Sequence, residues 1–189
     1  MQPLDVGIAI LLLHGLLGAF DTLYNHERDA RLPEQPYAAR ELKLHAGRSA
    51  LYAAIFAGLA WFEWHGAFVA VLALLVLAEF SLTLVDSVVE DHTREVSATE
   101  RVVHMILGVT TGAWAGFVFF TGFADWWERP SALVGTAYGA VSWLLTAYAI
   151  GAALSGFRDA LAADRLERQA RFLPPEATSP RRRPMMAER

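Results

Sequence analysis

Carboxylates and imidazoles recur at fixed helical spacing in a chain that is otherwise strongly apolar. His14, Asp21 and Asn25 stand at offsets 0, 7 and 11, and Glu79, Asp86 and Glu90 repeat those offsets. A polar loop follows each set. Each loop then leads into Glu-x-x-x-His, as Glu41 and His45 in the first copy and Glu100 and His104 in the second. Steps of 4, 7 and 11 residues return to one face of an α-helix, so each copy aims acids and an imidazole at a common place. Carboxylate and imidazole donors without sulfur suit iron, manganese or zinc. Asp21, Glu41, His45, Asp86, Glu90, Glu100 and His104 are therefore expected as ligands of two divalent metal ions, with iron favoured and zinc or manganese as alternatives. His14, Asn25, Glu79 and His92 are expected beside them, orienting the ligands. His26 and Asp91, at helix ends, read as solvated loop residues.

Each acid also has a simpler reading. Ser97-x-x-Glu100 matches a capping box, in which the glutamate serves the helix end and needs no metal. Glu41 has Arg40 and Arg48 within reach for ordinary ion pairing. Neither explains why a histidine follows four residues on in both copies, or why Asp21 and Asp86 occupy the same step of the preceding helices.

The elements that must carry these residues read as membrane spans. The chain has 189 residues, 54% of them apolar, and a mean hydropathy of +0.31. Apolar stretches run over roughly Leu4–Tyr24, His45–Phe62, Ala67–Val89, Val102–Phe123 and Ala132–Phe157. At 1.5 Å per residue each is about long enough for a hydrocarbon core of about 30 Å. The expected fold is an all-α integral membrane protein with five transmembrane helices. The first four form a pseudo-two-fold four-helix bundle from a duplicated helical hairpin, repeat A over residues 4–62 and repeat B over 67–123. The fifth span, 132–157, has no ionisable residue and several glycines suited to close packing. Residues 158–189 are expected as a cytoplasmic tail, an amphipathic helix followed by a disordered basic segment containing Arg181, Arg182 and Arg183. The first stretch lacks a basic leader and a cleavage site, so it reads as a permanent span.

Basic residues set the expected orientation. Arg28, Arg31, Arg40, Lys43 and Arg48 cluster about the first loop, and Arg94 and Arg101 about the third, whereas Arg129 is alone on the opposite side. The positive-inside rule then puts the N-terminus outside and the C-terminus in the cytoplasm, as in a bacterial-type inner membrane. Trp61, Trp64, Trp126 and Trp127 are expected as an outer aromatic belt. All the candidate ligands fall near the cytoplasmic leaflet, where a buried acid is costly unless paired or bound to a cation.

In design this arrangement resembles the ferritin-like di-iron carboxylate bundles, in which two helices each give one acid and two give an acid and a histidine. The likeness covers eight or so positions in the first 110 residues, and the Glu-x-x-x-His spacing here replaces their Glu-x-x-His. It implies a membrane di-iron oxidoreductase acting on a lipid or quinone, with electrons from a cytoplasmic reductase. Alternative readings are a zinc-dependent lipid hydrolase, a haem or electron-transfer protein with His45 and His104 as axial ligands, and a structural or transport subunit. The chain has no cysteine, which removes thiolate sites and disulfides. No phosphate loop, dinucleotide fingerprint or nucleic-acid motif is present.

Overall fold

In the computed structural model, residues 2–172 are described, and they are mostly helical. Five helices follow in order: α1 (Pro3–Phe20), α2 (Ala39–Trp61), α3 (Phe68–Thr93), α4 (Ala98–Thr121) and α5 (Ala140–Ala170). Two four-residue strands, β1 (Phe62–His65) and β2 (Ala132–Gly135), complete the regular structure with short π and 3-10 turns. Residues 173–189, the expected basic tail, lie outside the described residues.

Counting the π-helical continuations of α1 and α4, four segments are long and apolar enough to cross a membrane: Pro3–Asp29, Phe68–Thr93, Ala98–Trp126 and Ala140–Ala170. Their outward faces carry exposed Leu16, Leu74, Leu77, Val109, Phe120 and Leu154, while Asp21, Glu41, Glu79, Asp86, Glu90 and Glu100 are buried. This inversion of the usual pattern fits helices solvated by hydrocarbon, since a water-soluble monomer rarely exposes so continuous an apolar surface. The expected fifth spanning stretch in α2 is not of the same kind. Arg40, Glu41, Lys43, His45 and Arg48 crowd its first turns, and it is the most enclosed helix, packed on both α3 and α5.

Helix α2 packs most extensively on α5. α1 lies along α4, and α2 lies along α3, while α3 and α4 meet only sparingly. The main apolar core joins Ile8 and Leu11 of α1, Ile55, Phe56 and Leu59 of α2, Leu72 of α3, Trp114 and Val118 of α4, and Leu145 of α5. A second, smaller core packs Leu32, Ala38 and Leu42 against Ala162, Ala163 and Leu166.

Two expectations about the ends change. The stretch from Ala132 begins as strand, not helix: β2 pairs antiparallel with β1, Phe62 opposite Gly135 and His65 opposite Ala132. A four-residue apolar run is equally compatible with strand and helix, and here backbone pairing with the α2–α3 connection decides. Helix α5 then starts at Ala140 and continues unbroken to Ala170, about 46 Å at 1.5 Å per residue, so the expected amphipathic helix after Phe157 is its last part. The sheet caps one end of the molecule. There Gly66, at φ +55°, permits a turn in which a Cβ would stand 2.5 Å from Ser131 Oγ, and its N–H donates to the Trp126 carbonyl at 2.8 Å. Trp64 and Trp126 are buried in this cap and only Trp127 of the three is exposed, so they do not form a simple belt. His65 is buried there too, 2.8 Å from Glu63, at the other end of α2 from the candidate ligands.

Candidate metal centre

At the opposite end from the sheet, the inner faces of α1 to α4 bring the expected residues together. His45 Nε2 stands 3.1 Å from Asp86 Oδ2, and His104 Nε2 stands 3.2 Å from Asp21 Oδ2. Each histidine thus meets the aspartate of the other expected copy. His104 Nδ1 faces Glu90 Oε2 at 3.5 Å. Asn25 is fully buried, and its amide donates to Asp21 Oδ1 at 2.7 Å.

Two groups of these side chains can each present one ligand atom within 4.8 Å of the others: His26, Glu90, Glu100 and His104, and separately Glu41, His45 and Glu90. Glu90 belongs to both. Asp21 and Asp86 sit behind the imidazoles, outside these two groups, in the position of carboxylates that hold a ligating histidine in place. Farther toward the sheet, Arg48 bridges Glu79 at 3.3 Å and Asp86 at 2.8 Å, and Thr83 donates to Glu79 at 2.7 Å. His14 is paired by its Nδ1 with the Thr110 hydroxyl at 2.8 Å. His92, expected among the supporting residues, is exposed, and its Nδ1 donates to the Val88 carbonyl of its own helix at 2.6 Å.

His26 is the residue that sequence reasoning missed. Five residues after Asp21, it would lie about 140° away round an α-helix at 3.6 residues per turn. Residues Asp21–Asp29 instead form a π-helix, whose wider i→i+5 turn brings Asp21, Asn25 and His26 to one side. Such π segments concentrate at functional sites. His26 Nε2 lies 3.4 Å from Asp21 and 3.3 Å from Glu100. Its ring stacks on His45 with centroids 4.4 Å apart and meets His104 edge-on at 6.0 Å. The Nε2 atoms of His26 and His45 and the Oδ1 atoms of Asn25 and Asp86 are buried without a hydrogen-bond partner. The close carboxylates are near these nitrogens but not aligned with them. Unpaired buried polar atoms are costly and mark a site built for something further.

Arg94 was also unforeseen. From the α3–α4 loop its buried guanidinium reaches Glu41 at 2.8 Å, Glu100 at 2.7 Å and Glu90 at 3.3 Å. Burial works against its charge, but hydrogen bonds and charges from Glu100 and Glu41 hold it above its ordinary range. Glu100 shows how the capping reading resolves. Ser97 Oγ accepts from the Glu100 N–H at 3.2 Å, so the helix is capped, yet the Glu100 carboxylate is turned to Arg94 and His26 and does not close the box.

The charge balance is informative. Six buried acids, Asp21, Glu41, Glu79, Asp86, Glu90 and Glu100, face two arginines, Arg48 and Arg94. The acids outnumber the arginines by four, and the imidazoles of His26, His45 and His104 stand among them. Comparison with family models, with curated proteins and with solved structures gives no match to this chain.

Proposed function

We propose that the cluster is a two-metal centre of a membrane protein, with Glu90 shared between the ions. His26, Glu100 and His104 complete one ligand set, and Glu41 and His45 the other. The observation that carries this reading is the pair of ligand groups meeting at Glu90. The excess of acids over arginines and the unpartnered Nε2 atoms of His26 and His45 support it further. Asp21 and Asp86 act as the carboxylates behind His104 and His45. The reciprocal pairing of those residues, together with α1 on α4 and α2 on α3, is what a duplicated hairpin with two-fold symmetry requires. Asn25 in place of a counterpart to Glu90 makes the two halves unequal.

The donor set suits iron, and the function that follows is a di-iron oxidoreductase working near the cytoplasmic leaflet on a lipid or quinone. When bound, the metals supply dioxygen activation. In a hydroxylation one oxygen atom enters a C–H bond and the other leaves as water, with two electrons and two protons from a cytoplasmic reductase. The basic loops around Arg28–Lys43 and Arg94–Arg101 would face the cytoplasm and the β1–β2 cap the outside, in keeping with the positive-inside rule. Zinc in the same ligands would instead activate water for hydrolysis. A haem between His45 and His104 is disfavoured because His26 packs against both rings and carboxylates surround them, where a porphyrin requires apolar walls.

One observation favours a second reading, a purely structural ion-pair network: Arg94 already joins three of the acids. Elemental analysis with an optical spectrum of the protein in mild detergent separates them. Two iron atoms per chain and no Soret band support the metal centre; a chain that stays folded and metal-free after growth in iron and zinc supports the network.

A further inference from the structure

Helices α1 and α5 flank the same face of α2 and leave between them a cavity of about 310 Å³, within the range of small-molecule pockets. Toward the sheet it is closed where Tyr148 rests on Gly15, at which a Cβ would stand 2.5 Å from Tyr148 Cδ2. Toward the basic end it is closed where Arg158 of α5 pairs with Glu27. Between these two contacts the helices stand apart, with Gly18 on one rim and Gly151 on the other. A Cβ at either glycine meets nothing within 4 Å. Asp21, His26 and His45 form the polar inner wall.

The geometry points to a lateral binding site for a neutral, lipid-soluble molecule with a flat carbonyl-bearing ring and an apolar tail, the quinone class. It takes this slot to be the substrate access of the metal centre proposed above. Three aromatic rings line the slot in sequence, Tyr52 to Phe56 and Phe56 to Tyr148, with centroids 5.7 Å apart in each pair. Such rings favour a flat partner over a saturated chain. At the inner wall Asp21, His26 and His45 give the slot a polar end against which the carbonyl or hydroxyl groups of a ring would lie. An anionic head is unsuited there, because the acids outnumber the arginines and Arg48 is already held by Glu79 and Asp86. The tail would leave between Gly18 and Gly151 into hydrocarbon, with no passage through water.

The test uses the full chain in phosphatidylcholine nanodiscs and a photoreactive azidoquinone with a decyl tail. Labelling is expected in the peptides containing residues 15–23 and 147–155, and excess decylubiquinone should compete it away while oleate does not. Gly18→Leu and Gly151→Leu fill the slot and should each cut labelling about tenfold, a change of about 1.4 kcal/mol, with metal content unchanged. Labelling elsewhere, equal competition by oleate, or undiminished labelling in both folded variants would overturn the proposal. The wild-type competition decides the matter if the variants fail to fold. Slot labelling in protein that never holds metal would leave the binding site standing and remove the metal centre; a metal-loaded protein without slot labelling would do the reverse.

Discussion

His104 of α4 and Asp21 at the end of α1 stand 3.2 Å apart, Nε2 to Oδ2, and His45 and Asp86 match them at 3.1 Å. Asp21 hydrogen-bonds His104 through Nε2 and leaves its Nδ1 facing Glu90 at 3.5 Å, while Asp86 lies beside His45 Nε2 without an aligned hydrogen bond. Aspartates in this position steer ligands and need not bind metal themselves. Asp21→Asn and Asp86→Asn should therefore weaken metal affinity by roughly 10–100-fold without abolishing it. Competition with a chelator of known affinity measures this, and complete loss of metal in either variant would make that aspartate a direct ligand.

The histidines should be less forgiving. His26→Ala, His45→Ala and His104→Ala each remove a proposed ligand and should strip most bound metal, His26 as thoroughly as the other two. Replacing His104 should lower metal content at least as much as Glu100→Gln, although Glu100 also lies in the first turn of α4. If His104→Ala keeps its full metal and Glu100→Gln only destabilises the protein, the acids serve pairing and the metal assignment loses its main support.

How far the chain discloses this site depends on which regularity governs each residue. The faces bearing His14, Asp21 and Asn25, Glu79, Asp86 and Glu90, Glu41 and His45, and Glu100 and His104 are legible because α-helical periodicity holds between them, and most of these residues are buried together. His26 escapes because the π-helix changes the period at Asp21. Arg94 escapes because it lies in a loop, where no period applies and a long side chain can reach in several directions. The pairing of β1 with β2 joins segments 70 residues apart, Phe62 to Ala132 at their starts, and short apolar runs carry no record of such a partner.

Arg94 provides a direct contrast between the two readings of the cluster. Removing one member of a buried ion pair costs about 3–5 kcal/mol, and Arg94→Gln leaves Glu41, Glu90 and Glu100 facing one another. With metals bound, those acids keep counter-charges, so the variant should fold when metal-loaded and lose stability sharply on chelation. Thermal unfolding with and without chelator checks this. Equal destabilisation in both conditions would favour the structural network.

Topology carries its own expectation. Reporter fusions after Arg31, Glu95 and the C-terminus should report the cytoplasm, and fusions at Gly66 and Arg129 the outside. Arg94 and Glu41 are 2.8 Å apart, so finding the first and third loops on opposite sides of the membrane would contradict the fold itself.

In the proposed centre two cations share Glu90. X-ray absorption at the iron edge of the iron-loaded protein tests it most directly. A shared two-metal centre should show nitrogen and oxygen neighbours at about 2.0–2.3 Å, the bond range of such donors, and a second metal at about 3.5–4 Å, the spacing of two-metal sites, the latter lost in Glu90→Gln. Iron ringed only by oxygen, with no imidazole scattering and no second metal in the wild-type protein, would contradict it.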